Sequence, residues 1–106
     1  MSTFIMLTRL SHQALHSPAS LESLNDAVTE RLRAECPGVS WLANYVVLGP
    51  ADYLDIFTAP DLETAVAVAT IIRTFGHATT EVWGATAWDD FISLARRIGP
   101  GAPLEP

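Results

Sequence analysis

Two apolar runs, WLANYVVL (residues 41–48) and YLDIFTA (residues 53–59), are separated by only four residues, Gly49-Pro50-Ala51-Asp52. Gly supplies unusual backbone angles and Pro presets a turn, so the composition of this gap predicts a tight reversal. The two runs therefore read as an antiparallel hairpin. Everything else in the chain has to be arranged around that central pair.

The flanks of the hairpin mirror each other. On the N-terminal side, TFIMLTRL (residues 3–10) is apolar or β-branched on both parities and predicts a buried strand. A polar stretch follows, and Ser17-Pro18 suits a helix entrance. Leu21, Leu24, Val28 and Leu32 then recur at spacings of three and four, which places them on one helical face, and Pro37-Gly38 ends the helix. On the C-terminal side, Asp61 predicts the cap of a second helix, with Leu62, Ala65, Ala69 and Ile72 on its buried side and Gly76 at its end. Residues 79–85 read as a fourth strand. Thr86 and Asp89 resemble a capping box that opens a short last helix carrying Trp88, Phe91, Ile92, Ala95 and Ile98. The order is an α+β, ferredoxin-like βαββαβ plan with a C-terminal helix added. It predicts a four-stranded antiparallel sheet with both main helices on one face.

At 106 residues the chain holds one domain, assigned to residues 1–98, and GPGAPLEP at the end reads as a loose tail over residues 99–106. Six Arg, no Lys and twelve acidic residues give a net charge of −6. That balance speaks against nucleic acid and anionic membranes as partners. Without Lys there is no Schiff-base chemistry and no Lys-dependent phosphate loop. The N-terminal residues lack the basic flank and cleavage site of a secretory signal, and no stretch approaches the roughly 18–20 apolar residues of a membrane span. A cytoplasmic protein with a single reduced thiol, Cys36, is expected.

Strand alternation directs attention to the side of the sheet without helices. In the third strand, Leu54 and Ile56 are assigned to the helix side, leaving Tyr53, Asp55 and Phe57 on the open side. In the fourth, Val82 is assigned inward, and Thr79, Glu81 and Trp83 outward. In the second strand Tyr45 and Val47 fall on one parity and Val46 and Leu48 on the other, so no face is assigned. An open face this apolar calls for a cover, most economically a second copy in a homodimer or a higher even-numbered homo-oligomer. It also offers Phe57, Glu81, Trp83 and Arg9 as contacts for a small apolar or aromatic ligand.

The stretch LGPADYLDIFTAPD (residues 48–61), together with TFIMLTRLS and FGHATTEVW, resembles the GYD-domain family over about residues 3–95. Gly49 and Asp52 fall in the family's turn, and Ala59, Pro60 and Asp61 match its helix-opening APD. Ala51 stands at the signature Tyr position, so this chain departs from the family there. The resemblance implies a ferredoxin-like fold of the dimeric α/β-barrel kind. It brings no activity, although related barrels include cofactor-independent monooxygenases, cyclases and haem proteins.

Few residues suggest chemistry. His77, at a strand mouth, is placed for a general base, with Tyr53 and Asp55 orienting a substrate in a cavity between sheet and helices. The plainer reading is a helix-end histidine answering the terminal carbonyls. A haem ligated by His77 is a third reading. Asp55 and Glu81 are charges in otherwise apolar strands, suited either to acid–base work or to pairing with Arg9. His12 and His16 are four apart but have no third ligand nearby, so no metal site is assigned. Cys36 follows a helix C-terminus, where the dipole disfavours a thiolate. No cofactor is called for. The sequence thus favours a self-associating domain over the enzyme.

Overall fold

The computed structural model describes residues 1–11, 18–75 and 78–99. Seven elements follow the anticipated order: β1 (Ser2–Leu10), α1 (Pro18–Glu35), β2 (Ser40–Val46), β3 (Tyr53–Ala59), α2 (Leu62–Phe75), β4 (Ala78–Ala85) and α3 (Trp88–Ile98). The strands form one sheet in the order β2-β3-β1-β4, antiparallel at every pairing. This is the ferredoxin-like α+β arrangement. The expected helix ending at Gly76 and the C-terminal tail from residue 100 lie outside the described residues.

The register corrects the face assigned to β3. Phe57 pairs with Phe4 and Asp55 with Met6, and Phe4, Met6 and Phe57 are all buried beneath the helices. Residues directly across a ladder share a face, so Tyr53, Asp55 and Phe57 point toward the helices, and Leu54 and Ile56 point to the open side. The physical reason is the core itself. Phe57 stacks on Phe4 with ring centroids 5.5 Å apart and meets Trp41 at 5.1 Å. Neither Leu54 nor Ile56 could replace that aromatic packing. Because β3 is apolar on both parities, composition alone did not select the face. Phe57 is therefore a core residue and not a contact for a ligand or a partner.

The core lies between this face and α2, whose Ala65, Val68, Ala69, Ile71 and Ile72 are buried. Asp61 opens α2 as expected: its Oδ1 accepts from the Thr64 backbone N–H at 2.7 Å. Leu62, assigned to the buried side, is instead exposed in the first turn. Helix α1 contributes mainly Leu32, with Cys36 just beyond its end. Its Arg31 guanidinium lies 4.4 Å over the Phe75 ring, tying α1 to α2. On the same side of α1, Val28 packs partly against this core, whereas Leu21 and Leu24 are half-buried.

Helix α3 behaves differently. Ala87, in extended conformation, precedes it and makes no side-chain cap, so the Thr86–Asp89 capping box is not formed. None of its residues is buried. Trp88 remains 71% exposed and Ile98 72%. The chain measures 57 × 30 × 19 Å with a radius of gyration of 17.3 Å. A compact domain of this length has about 13 Å. The domain is thus drawn out along one axis.

The hairpin turn is fastened to the sheet centre. The Asp52 backbone N–H donates to the Thr8 carbonyl (2.8 Å), and Asp52 Oδ2 accepts from the Leu10 N–H (2.8 Å). Arg9 Nε donates to the Pro50 carbonyl (2.6 Å). Gly49 has φ +149°, a conformation that L side chains rarely adopt.

Candidate functional sites on the two sheet faces

The open face is built from every second residue of each strand. Ile5 and Leu7 from β1, Leu54 and Ile56 from β3, and Trp83 from β4 lie in adjacent rows, with Ile5 between Ile56 and Trp83. Tyr45 pairs with Leu54 and adds a ring from β2. Trp83 is 47% exposed and Tyr45 58%. Glu81 sits on the same face across from Leu7, and one of its carboxylate oxygens accepts from Trp83 Nε1 at 3.2 Å. The expected outward placement of Glu81 and Trp83 is therefore found. The pairing of Arg9 with a strand carboxylate is not, because its guanidinium holds the turn at Pro50 instead.

The opposite face carries a cleft. Between α1 and the sheet lies a half-open space of about 600 Å³, lined by Leu21, Leu24 and Val28 on one wall and Trp41 on another. That volume is in the range of small-molecule sites, about 300–1,000 Å³. Tyr53 and Asp55 both line it, so the two residues expected to orient a substrate are brought together, though on the side of the sheet opposite to the one assigned. His77 lies outside the described residues, as do His12 and His16.

Two polar residues that sequence reasoning missed complete the cleft. Asn44 Nδ2 donates to Asp55 Oδ1 at 2.7 Å. Thr8, directly across from Tyr53, is 3% exposed, and its Oγ1 finds no hydrogen-bond partner among the described residues. A signal for Thr8 was available: it is the polar member of the buried parity Phe4-Met6-Thr8. Asn44 was hidden by a register shift between Trp41 and Ala43, which inserts Leu42 and moves the β2 side chains after it to the other face.

The electrostatics follow from burial. Loss of water raises the Asp55 carboxyl above its ordinary value, and the Asn44 hydrogen bond only partly opposes this. Burial also raises the Tyr53 phenol, and the Asp52 and Asp55 charges push it further the same way. Tyr53 is thus a hydrogen-bond donor at neutral pH and not a phenolate. Burial, then the neighbouring Glu35 charge, raises the Cys36 thiol, which makes it a poor nucleophile. Among the described residues no group of three or more His, Cys, Asp or Glu side chains is placed to hold a metal ion. No helix among them is long and apolar enough to cross a membrane.

The GYD-domain family model matches residues 4–95. The chain belongs to the GYD-domain family. No protein of curated description matches it. The match covers all four strands except the first two residues of β1, and most of α3, and it includes the turn whose aspartate, Asp52, latches the hairpin to β1. In this GYD domain Asp52 has a structural task, while half-buried Ala51 carries no functional group.

Proposed function

We propose that this GYD domain is a non-catalytic module that pairs with a second copy through the open face of its sheet and holds a small, largely apolar molecule. The observation that carries the reading is the coexistence of two apolar surfaces left uncovered among the described residues. One is the face of Ile5, Leu7, Leu54, Ile56 and Trp83; the other is the side of α3 bearing Trp88, Phe91 and Ile98. At about 150–250 Å² per aromatic side chain, the exposed parts of Trp83, Tyr45, Trp88 and Phe91 amount to roughly 400–500 Å². The aliphatic neighbours bring this toward the roughly 800 Å² per partner of a stable interface. The drawn-out shape supports the same reading, because a projecting amphipathic helix gains its burial from a neighbouring molecule.

Sedimentation velocity tests the pairing. The chain is expected to run as a dimer, or a higher even-numbered assembly, at micromolar concentration, and Ile56→Glu to run as a folded monomer. A stable wild-type monomer would refute it.

A second reading, a cofactor-independent enzyme with His77 as general base, is favoured by one observation, the shared placement of Tyr53 and Asp55 in the cleft. It requires that His77→Ala abolish turnover of a bound substrate while leaving its affinity intact. Unchanged turnover would remove it.

A further inference from the structure

The helix-facing row of β3 reads Tyr53-Asp55-Phe57, so a carboxylate stands between two aromatic residues on the side of the sheet that carries the core. Trp41 lies across the ladder from Phe57, and Asn44 across from Asp55. Trp41, Tyr53 and Asp55 all line the cleft, together with Leu21, Leu24 and Val28 of α1. The cleft therefore joins an apolar wall to a carboxylate with aromatic neighbours.

Asp55 is the informative member. An aspartate withdrawn from water is normally paired with a cation or fully hydrogen-bonded. Here Oδ1 accepts from Asn44 Nδ2 at 2.7 Å, while Oδ2 has no hydrogen-bond partner and the residue joins no ion pair among the described residues. The chain has no Lys, and all six Arg are among the described residues. None of the six lines the cleft. Arg9 holds Pro50, Arg31 bridges to Glu35 and Arg73 binds Thr80. The three His are the only other basic side chains, and an imidazole of ordinary pKa is mostly uncharged at neutral pH. The chain thus supplies no permanent cation to this carboxylate. Burial raises the Asp55 pKa, the direction expected of a charge left without one.

A ligand can supply what the chain lacks. An ammonium seated on Asp55 would form a charge-assisted hydrogen bond, and aromatic rings such as those of Tyr53 and Trp41 attract a cation held within about 6 Å of their faces. Glu22, exposed on α1 where it borders the cleft, adds a second negative charge, and the net charge of −6 draws cations toward the domain.

We propose that this cleft binds a small organic cation, a primary ammonium on a largely apolar body, with the ammonium donating to the Asp55 carboxylate and the body lying along Leu21, Leu24 and Val28. The site lies on the opposite side of the sheet from the self-association face. The inference rests on the ligand-holding half of the reading above and is independent of the pairing half.

Titration calorimetry of the full chain with 4-phenylbutylamine, 4-phenylbutanol and 4-phenylbutyrate at neutral pH tests it. These probes share a phenyl ring and a similar chain and differ in the head group. The amine is expected to bind about tenfold tighter than the alcohol, as one hydrogen bond to a charged group implies, with the carboxylate weaker than both. Asp55→Asn should abolish most of this preference and leave the alcohol unchanged. Glu30→Gln, which removes a charge from an exposed residue that does not line the cleft, should retain it. Equal binding of amine and alcohol by the wild type, or a carboxylate bound as tightly as the amine, overturns the inference while leaving the apolar-ligand reading standing. A preference unchanged in Asp55→Asn, or lost equally in Glu30→Gln, assigns it to diffuse surface charge and likewise overturns the inference. If none of the three binds, both the inference and the ligand-holding reading fail.

Discussion

Replacing Thr8 by Val should make the ligand-free domain more stable, against the usual direction of core substitutions. The position is 3% exposed, on the same face as Phe4 and Met6, and the hydroxyl has no partner among the described residues. An unsatisfied buried polar group costs about 1–3 kcal/mol. Valine keeps the branched Cβ, suits a strand and replaces the hydroxyl by a methyl of similar size. The wall it joins is apolar, with Leu32 and Ile72 also facing the cleft. Taking the lower end of that range, a gain of about 1 kcal/mol is expected. For a domain of this length that raises the melting temperature by about 4–8 °C. The assay is urea unfolding of wild type and variant at one protomer concentration, because an associating protein gains apparent stability with concentration. The midpoint should rise while the slope stays constant. A midpoint that falls would mean that the native hydroxyl is well hydrogen-bonded, and this reasoning would be wrong.

Three further outcomes are expected. Asp52→Ala removes the acceptor for the Leu10 N–H at the hairpin latch and should cost about 1.5–3 kcal/mol in urea unfolding, with Asp52→Asn recovering part of it; an unchanged midpoint would remove the structural role of Asp52. Asp55 has a raised folded-state pKa, so its contribution to stability is fully present below the unfolded value of 3.8 and is lost as pH rises through the folded value. Asp55→Asn, which keeps an acceptor for Asn44, should therefore gain on wild type as pH rises, and a difference in urea midpoint that stays flat from acid to neutral pH would contradict the burial of that carboxyl. Cys36 is buried and its thiol is pushed up, so its reaction with a thiol-specific disulfide reagent should be slow in the native state and accelerate sharply through the unfolding transition; rapid native labelling would show the helix end to be open.

The element order was legible because each element has its own period and its own punctuation. Helix α2 announces itself through Asp61, and the hairpin through Gly49-Pro50, and the structure uses both in those roles. What the chain concealed was orientation. In β3, Leu54 and Ile56 compete with Phe57 for the core, and only the aromatic contacts with Phe4 and Trp41 decide between the two parities. In β2 the irregularity at Leu42 destroys the alternation on which such a decision would rest. The exposure of α3 was equally hidden, since an amphipathic pattern reports that a helix has an apolar side and not which molecule covers it.

The failure of parity in these strands carries information of its own. An antiparallel sheet covered on one side normally shows clean alternation, because its other face meets water. Here β1 sends Phe4 and Met6 to the helices and Ile5 and Leu7 to the open side, and β3 does the same with Phe57 against Leu54 and Ile56. A strand apolar on both parities is the pattern of a sheet buried on both faces. The chain's own helices cover only one of them, and α3, the element left over, covers neither and has an apolar side uncovered itself. A sheet that needs two covers and a helix that needs a surface are complementary shortages, and a two-fold axis satisfies both at once without any additional partner. The charged strand residues fit the same division. Glu81 lies on the open face beside Trp83, whereas Asp55 lies in the cleft beneath α1, so the carboxylate lining the cleft and the one on the open face are on opposite sides of a single sheet.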